Sequence, residues 1–204
     1  MEDNTTVNPA EMPCNSQIRH TAYNALRGKW GYPVLATLLY AAVTLVAGNV
    51  PLASLLVICP LEFGFALLFL HLLRGQVSEG DIVTNPFNVF RDYGRYLGAS
   101  LLVAVFTFLW MLLLIIPGCI KAYSYAMTSF VAYDNPELPV RECLRRSQRM
   151  MDGYKWKLFC LDLSFIGWAL LCILTLGIGF LWLTPYINTA HAQFYLELQE
   201  RDNN

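Results

Sequence analysis

Thirteen of the 14 Lys and Arg residues lie outside the long apolar runs of this 204-residue chain, in segments that can all share one side of a membrane. Lipid cannot hydrogen-bond a bare backbone, so an apolar run of about 20 residues becomes a helix spanning roughly 30 Å of hydrocarbon. Basic residues then orient the helices, because loops rich in Lys and Arg stay cytoplasmic. The expected fold class is therefore all-α: a polytopic membrane helical bundle.

Residues 32–48, 52–73, 96–116 and 158–183 are the strong runs. Residues 117–133 and 184–198 are weaker, each opening at a proline or one residue before it and carrying polar groups. Arg19, Arg27 and Lys29 precede the first run, and Arg74, Arg91 and Arg95 separate the second from the third. Arg141, Arg145, Arg146, Arg149, Lys155 and Lys157 precede residue 158, and Arg201 ends the chain. If 117–133 did not cross, the six-residue basic group would fall on the wrong side. Six crossings with cytoplasmic termini leave only Lys121 elsewhere. Uncharged turns at 49–51, Pro117-Gly118 and Thr184-Pro185 then face outward.

Charged residues make up only 14% of the chain against about 25% in soluble domains, and the net charge of −1 gives no reason to expect nucleic acid. The six cysteines form no CxxC pair and read as packing residues. Residues 1–16 read as a disordered polar tail without the apolar core of a signal peptide. Residues 17–199 form the membrane domain and 200–204 a C-terminal tail.

The domain also reads as three hairpin units, 17–74, 82–134 and 137–199. Each has a polar amphipathic approach, an aromatic–Gly–basic cluster, a long apolar helix, a proline and a more polar return. Trp30, Lys155, Trp156 and Lys157 belong to such clusters and suit the headgroup level. In the approach 137–154, Val140, Leu144, Ser147 and Met151 recur at helical spacing, and Arg141, Arg145 and Arg149 form a basic stripe beside them. That helix is expected to lie in the interface with its arginines on anionic headgroups. Ile18, Ala22 and Leu26 repeat the pattern, as do Phe87, Phe90 and Tyr93.

The segments Ser147-Gln-Arg-Met-Met-Asp-Gly-Tyr-Lys-Trp-Lys, Ser164-Phe-Ile-Gly-Trp168 and Pro185-Tyr186, with Ile116-Pro-Gly118 and Asp134-Asn-Pro136, resemble a bacterial membrane-protein family. It is known as domain of unknown function 975. The resemblance runs from about residue 17 to 198. It implies a small multi-pass protein of the inner membrane and no established activity.

Ionisable groups at lipid depth are costly and hence candidate functional residues. Glu62, Lys121 and Asp162 are charged; His71, Asn188 and His191 are polar. Glu62 follows Pro60, in a first turn that favours a carboxylate. Lys121 stands at the unfavourable end of its helix dipole, so a Glu62–Lys121 pair is expected. Asn188, His191 and Tyr195 are expected to form a polar stripe that lines a cavity or bonds neighbouring helices. Gly98, Gly177 and Gly179 read as close-contact positions, and Gly167 as a crossing point.

No nucleotide, hydrolase or metalloprotease motif occurs. The sequence reading is thus a non-enzymatic scaffold, regulatory or lipid-interacting membrane module without a cofactor. Membrane lipids, a second copy or other membrane proteins are its partners. A small transporter using Glu62, Lys121 and His191 is the alternative, and an intramembrane lipid enzyme the third.

Overall fold

The computed structural model describes residues 12–47, 57–75, 92–113, 115–175 and 177–202, all of them helix, turn or short connection. In order the helices are α1 (Asn15–Leu26), α2 (Gly31–Ala47), α3 (Cys59–Leu73), α4 (Tyr93–Leu113) and α5 (Ile115–Tyr125). Then follow α6 (Thr128–Asp134), α7 (Val140–Met150), α8 (Lys155–Leu174) and α9 (Phe180–Asp202). Residues 49–51, with Phe87, Phe90 and Arg91, lie outside the described residues.

Two expected turns move. The run 158–183 is not one helix: α8 ends at Leu174 and α9 begins at Phe180. The reversal uses Gly177 at φ +85°, a conformation that other residues enter at a cost. Thr184-Pro185 is therefore no turn, and Pro185 lies inside α9. There the hydroxyl of Thr189 bonds the Pro185 carbonyl at 2.7 Å. Likewise α4 ends at Leu113 and Pro117 sits in the first turn of α5, where a missing N–H costs little.

Glycine closes both hairpins. A Cβ on Gly118 would lie 2.8 Å from the Met111 backbone, and one on Gly179 would lie 2.6 Å from the Cys172 sulfur. Gly98 faces Val140 at an ordinary 3.8 Å, and a Cβ on Gly167 would meet nothing within 4 Å, so Gly167 sets no crossing.

Residues 117–133 form two helices broken at Ala126-Met127, within a buried stretch of Ser124, Thr128 and Ser129. Ser147 of α7 donates to the Ser124 carbonyl at 2.9 Å. It thereby satisfies an acceptor at the break, which matters because a buried orphan carbonyl is expensive. α7 is shorter than the expected approach helix. Its apolar face (Cys143, Leu144, Ser147 and Met150) is buried on the bundle rather than turned to lipid. α1 packs similarly through Ile18, Ala22 and Leu26, mainly along α9.

Apolar and ionic groups segregate along the bundle. Exposed large hydrophobics include Leu45 and Val46 at the end of α2, Phe108 and Leu109 late in α4, and Ile173 and Leu174 at the end of α8. The end of α3, the start of α4 and the ends of α6 and α9 carry Arg74, Arg95, Asp134 and Asp202. Among the described residues two helices, Tyr93–Met111 and Lys155–Leu174, are long and apolar enough to cross a membrane. Only 17% and 22% of their apolar windows are buried. Pro33–Ala47 and Pro60–Leu73 are shorter apolar helices.

Candidate functional site

Two polar clusters lie along one stripe of α9. His191, Tyr195 and Gln199 recur at intervals of four residues and share a helix face, about 6 Å per step.

The first cluster surrounds Asp134. Arg74 donates from Nη1 to Oδ1 at 2.6 Å and from Nη2 to Oδ2 at 2.7 Å. Tyr195 Oη and Gln199 Nε2 also donate to Oδ2, at 2.7 and 2.8 Å. Arg74 reaches Gln199 Oε1 at 2.9 Å as well. Burial by itself would raise the Asp134 pKa. The bonds from Arg74, Tyr195 and Gln199 outweigh it and hold the carboxyl below its ordinary 3.8.

The main chain explains why cations gather here. Asp134 ends α6, where the helix dipole disfavours a carboxylate and the last carbonyls lack partners. Asn135 leaves helical geometry at φ −128°, ψ 73°, as residues before proline do. Arg95 from the start of α4 then bonds the carbonyls of Ala132, Asn135 and Pro136. Arg146 of α7 bonds Asn135 Oδ1 at 2.9 Å and Asp202 at 3.0 Å. Three arginines from three chain segments thus converge on Asp134-Asn135-Pro136. The sequence reading left Asp134 out, although a carboxylate at a helix C-terminus signals a need for a counter-charge.

The second cluster joins α5, α8 and α9. His191 Nε2 lies 2.6 Å from Asp162 Oδ1, and Tyr123 Oη donates to Asp162 Oδ2 at 3.0 Å. Asp162 and His191 are each about 30% exposed.

The remaining candidates are dispersed. Glu62 sits in the first turn of α3 as expected and accepts from Tyr40 Oη at 3.2 Å. Lys121 stands over the Trp110 ring at 5.2 Å, a cation–π contact within its own hairpin. Glu62 and Lys121 form no ion pair with each other, which corrects the expected pairing: each has a nearer partner. His71 packs edge-on against Tyr133 at 4.6 Å. Asn188 bonds the Thr184 carbonyl of its own helix at 2.9 Å, so the stripe is His191, Tyr195 and Gln199 rather than one starting at Asn188.

The basic stripe of α7 is exposed on the side away from the bundle. Arg145 and Arg149 are each 71% exposed and both face Glu142, at 3.2 and 3.9 Å; Arg141 is exposed too. Lys155 pairs with Asp152 at 3.1 Å, and Lys157 bonds the Met12 carbonyl at 2.6 Å. Trp156 is 73% exposed, while Trp30 is half-buried against Tyr23. Among the described residues no group of three or more His, Cys, Asp or Glu could hold a metal ion.

A family profile described as "Protein of unknown function (DUF975)" matches residues 99–202. The chain belongs to that family. The matched half holds α5 to α9, with Asp134, Asp162, His191, Tyr195, the Arg146 contact and the α7 stripe. Arg74, Arg95, Glu62 and the α1–α2 region lie before it. No curated protein and no solved structure matches the chain.

Proposed function

We propose that the chain is a non-enzymatic integral membrane module of the bacterial inner membrane, with cytoplasmic termini and the basic face of α7 on anionic headgroups. The observation that carries this reading is the combination of span-length apolar helices with their low burial. Large side chains such as Phe108, Leu109, Leu170 and Leu174 need an apolar surrounding, and lipid supplies one. Six crossings remain the preferred topology, because the arginine-bearing ends of α3, α4 and α9 gather with the end of α6, which bears Asp134.

The distribution of polar groups favours a module over a transporter. Glu62, Lys121 and His191 take three different partners, which argues against their sharing one cavity. Carbonate washing and labelling test the proposal together. The protein should stay in the membrane pellet, and a cysteine at Arg145 should react only after the inner face is exposed. Release by carbonate, or labelling of position 145 from outside intact cells, contradicts it.

A further inference from the structure

Beside α1, an open groove of about 400 Å³ runs between α8 and α9, within the volume range of small-molecule sites. Aromatic rings dominate its walls: Tyr23, Trp30, Trp168, Trp182 and Tyr186. No charged side chain is among the residues that line it. Tyr23 meets Trp30 and Tyr186, with ring centroids 6.1 and 6.5 Å apart. Neither Trp168 nor Trp182 meets another ring among the described residues, and both are about half exposed. Their faces are free for a ligand.

The hydrogen-bonding capacity of the groove is one-sided. The indole N–H groups of Trp30, Trp168 and Trp182 and the hydroxyl of Tyr23 donate to nothing among the described residues. The Thr175 hydroxyl is already used, since it takes the Gly179 N–H at 3.3 Å and donates to the Cys172 carbonyl at 2.9 Å. Tyr186 commits its own hydroxyl to the Arg19 carbonyl at 3.2 Å. Trp168 lies 11 residues, about 17 Å, along α8 from Lys157, which the membrane reading puts at the headgroup level. Water and the inner-leaflet phosphates are out of reach there, and an unpaired donor in hydrocarbon is costly.

We propose that this groove binds one neutral quinone from the bilayer. Its flat ring lies against Trp168 and Trp182, its carbonyl oxygens accept from the indole N–H groups and Tyr23, and its apolar tail leaves into lipid. Quinone carbonyls only accept, which matches a site that offers only donors, and a flat ring stacks where aromatic faces stand open. An acyl chain would leave the donors unpaired, an anionic headgroup would find no cation, and an amine would find no carboxylate. A larger groove between α2 and α9, about 670 Å³, lacks this character. There Thr37, Tyr40 and Thr44 already donate to the Pro33 carbonyl, Glu62 and the Tyr40 carbonyl. The inference rests on the membrane reading above and gives that module a ligand.

Scintillation proximity with tritiated decylubiquinone on the full chain in dodecyl maltoside tests it. One saturable site per chain is expected. Trp168→Phe and Trp182→Phe keep a ring but lose the N–H, and each should weaken binding about fivefold. Trp168→Leu loses the ring as well and should weaken it at least about tenfold. Trp156→Leu, at an exposed position outside the groove, should leave binding unchanged. Unlabelled decylubiquinone should displace the label far better than its quinol, whose hydroxyls bring donors to a groove without free acceptors, or than dioleoylglycerol. Absence of saturable binding overturns the site. So does binding that survives Trp168→Leu, binding lost equally in Trp156→Leu, or equal displacement by dioleoylglycerol. Release of the protein by carbonate would instead remove the membrane reading itself, so the two failures are distinguishable.

Discussion

Arg74 grips Asp134 at two points, 2.6 and 2.7 Å, joining the end of α3 to the end of α6 across 60 residues of chain. The side chains are only 21% and 11% exposed, so water replaces little of what either would lose alone. Removing one partner of a desolvated pair costs about 3–5 kcal/mol, because the other charge is stranded. Asp134→Asn and Arg74→Met should each lower thermal stability by that order, and the double variant should recover part of the loss. Strictly additive losses, measured by melting in lipid nanodiscs, would show that the pair is not coupled.

The same pair predicts an acid step. Asp134 has a folded-state pKa below its ordinary 3.8. Its stabilisation is therefore complete above that ordinary value and is lost as pH falls through the lower folded value. Melting temperature followed below about pH 4 should drop in the wild type, and the part due to this residue should be missing in Asp134→Asn. Identical acid profiles for the two proteins would contradict the assignment.

Ser147 offers a test of the break between α5 and α6. Its hydroxyl serves the Ser124 carbonyl at a fully buried position. Ser147→Ala leaves that acceptor without its partner and should cost roughly 1–3 kcal/mol. Ser164 bonds only its own helix, at the Leu161 carbonyl, so Ser164→Ala should stay within about 0.5 kcal/mol. Chemical unfolding of the two variants side by side decides; equal effects would remove the special role of Ser147.

Hairpin closure predicts a contrast among glycines. Gly118→Ala forces a methyl to 2.8 Å from the Met111 main chain and should cost about 1–3 kcal/mol by overpacking. Gly98→Ala meets only Val140, at 3.8 Å, and should be tolerated. Comparable melting temperatures for the two variants would contradict the close approach at Gly118.

Much of the helix content was legible because long apolar runs favour helix. α2 follows the run 32–48 to within a residue at each end, and Glu62 sits in the first turn after Pro60 as the dipole argument required. The turns were misplaced because proline was read as a breaker. In the first turn of α5 its missing N–H has no partner to lose, and the actual reversal between α8 and α9 used Gly177. The α7 stripe was visible as periodicity, but periodicity cannot say whether an apolar face meets lipid or the bundle, and here it meets the bundle.

The candidate sites were less legible, since side-chain partners come from packing between distant segments. Asp162 and His191 were each picked out for cost at depth, yet their 2.6 Å contact depends on how α8 and α9 pair. Lys121 seemed to need Glu62 because formal charges were matched while aromatic faces were ignored; Trp110 in the same hairpin lies nearer.

The central claim is that the exposed apolar faces of α4 and α8 meet lipid. Nitroxide labels at Leu109 and Leu170, 58% and 63% exposed, measure this directly in reconstituted vesicles, with a label at Arg145 as the aqueous reference. Collisions with oxygen should dominate at 109 and 170, and collisions with a water-soluble nickel chelate at 145. Nickel-dominated relaxation at both 109 and 170 would place those helices in water and contradict the account.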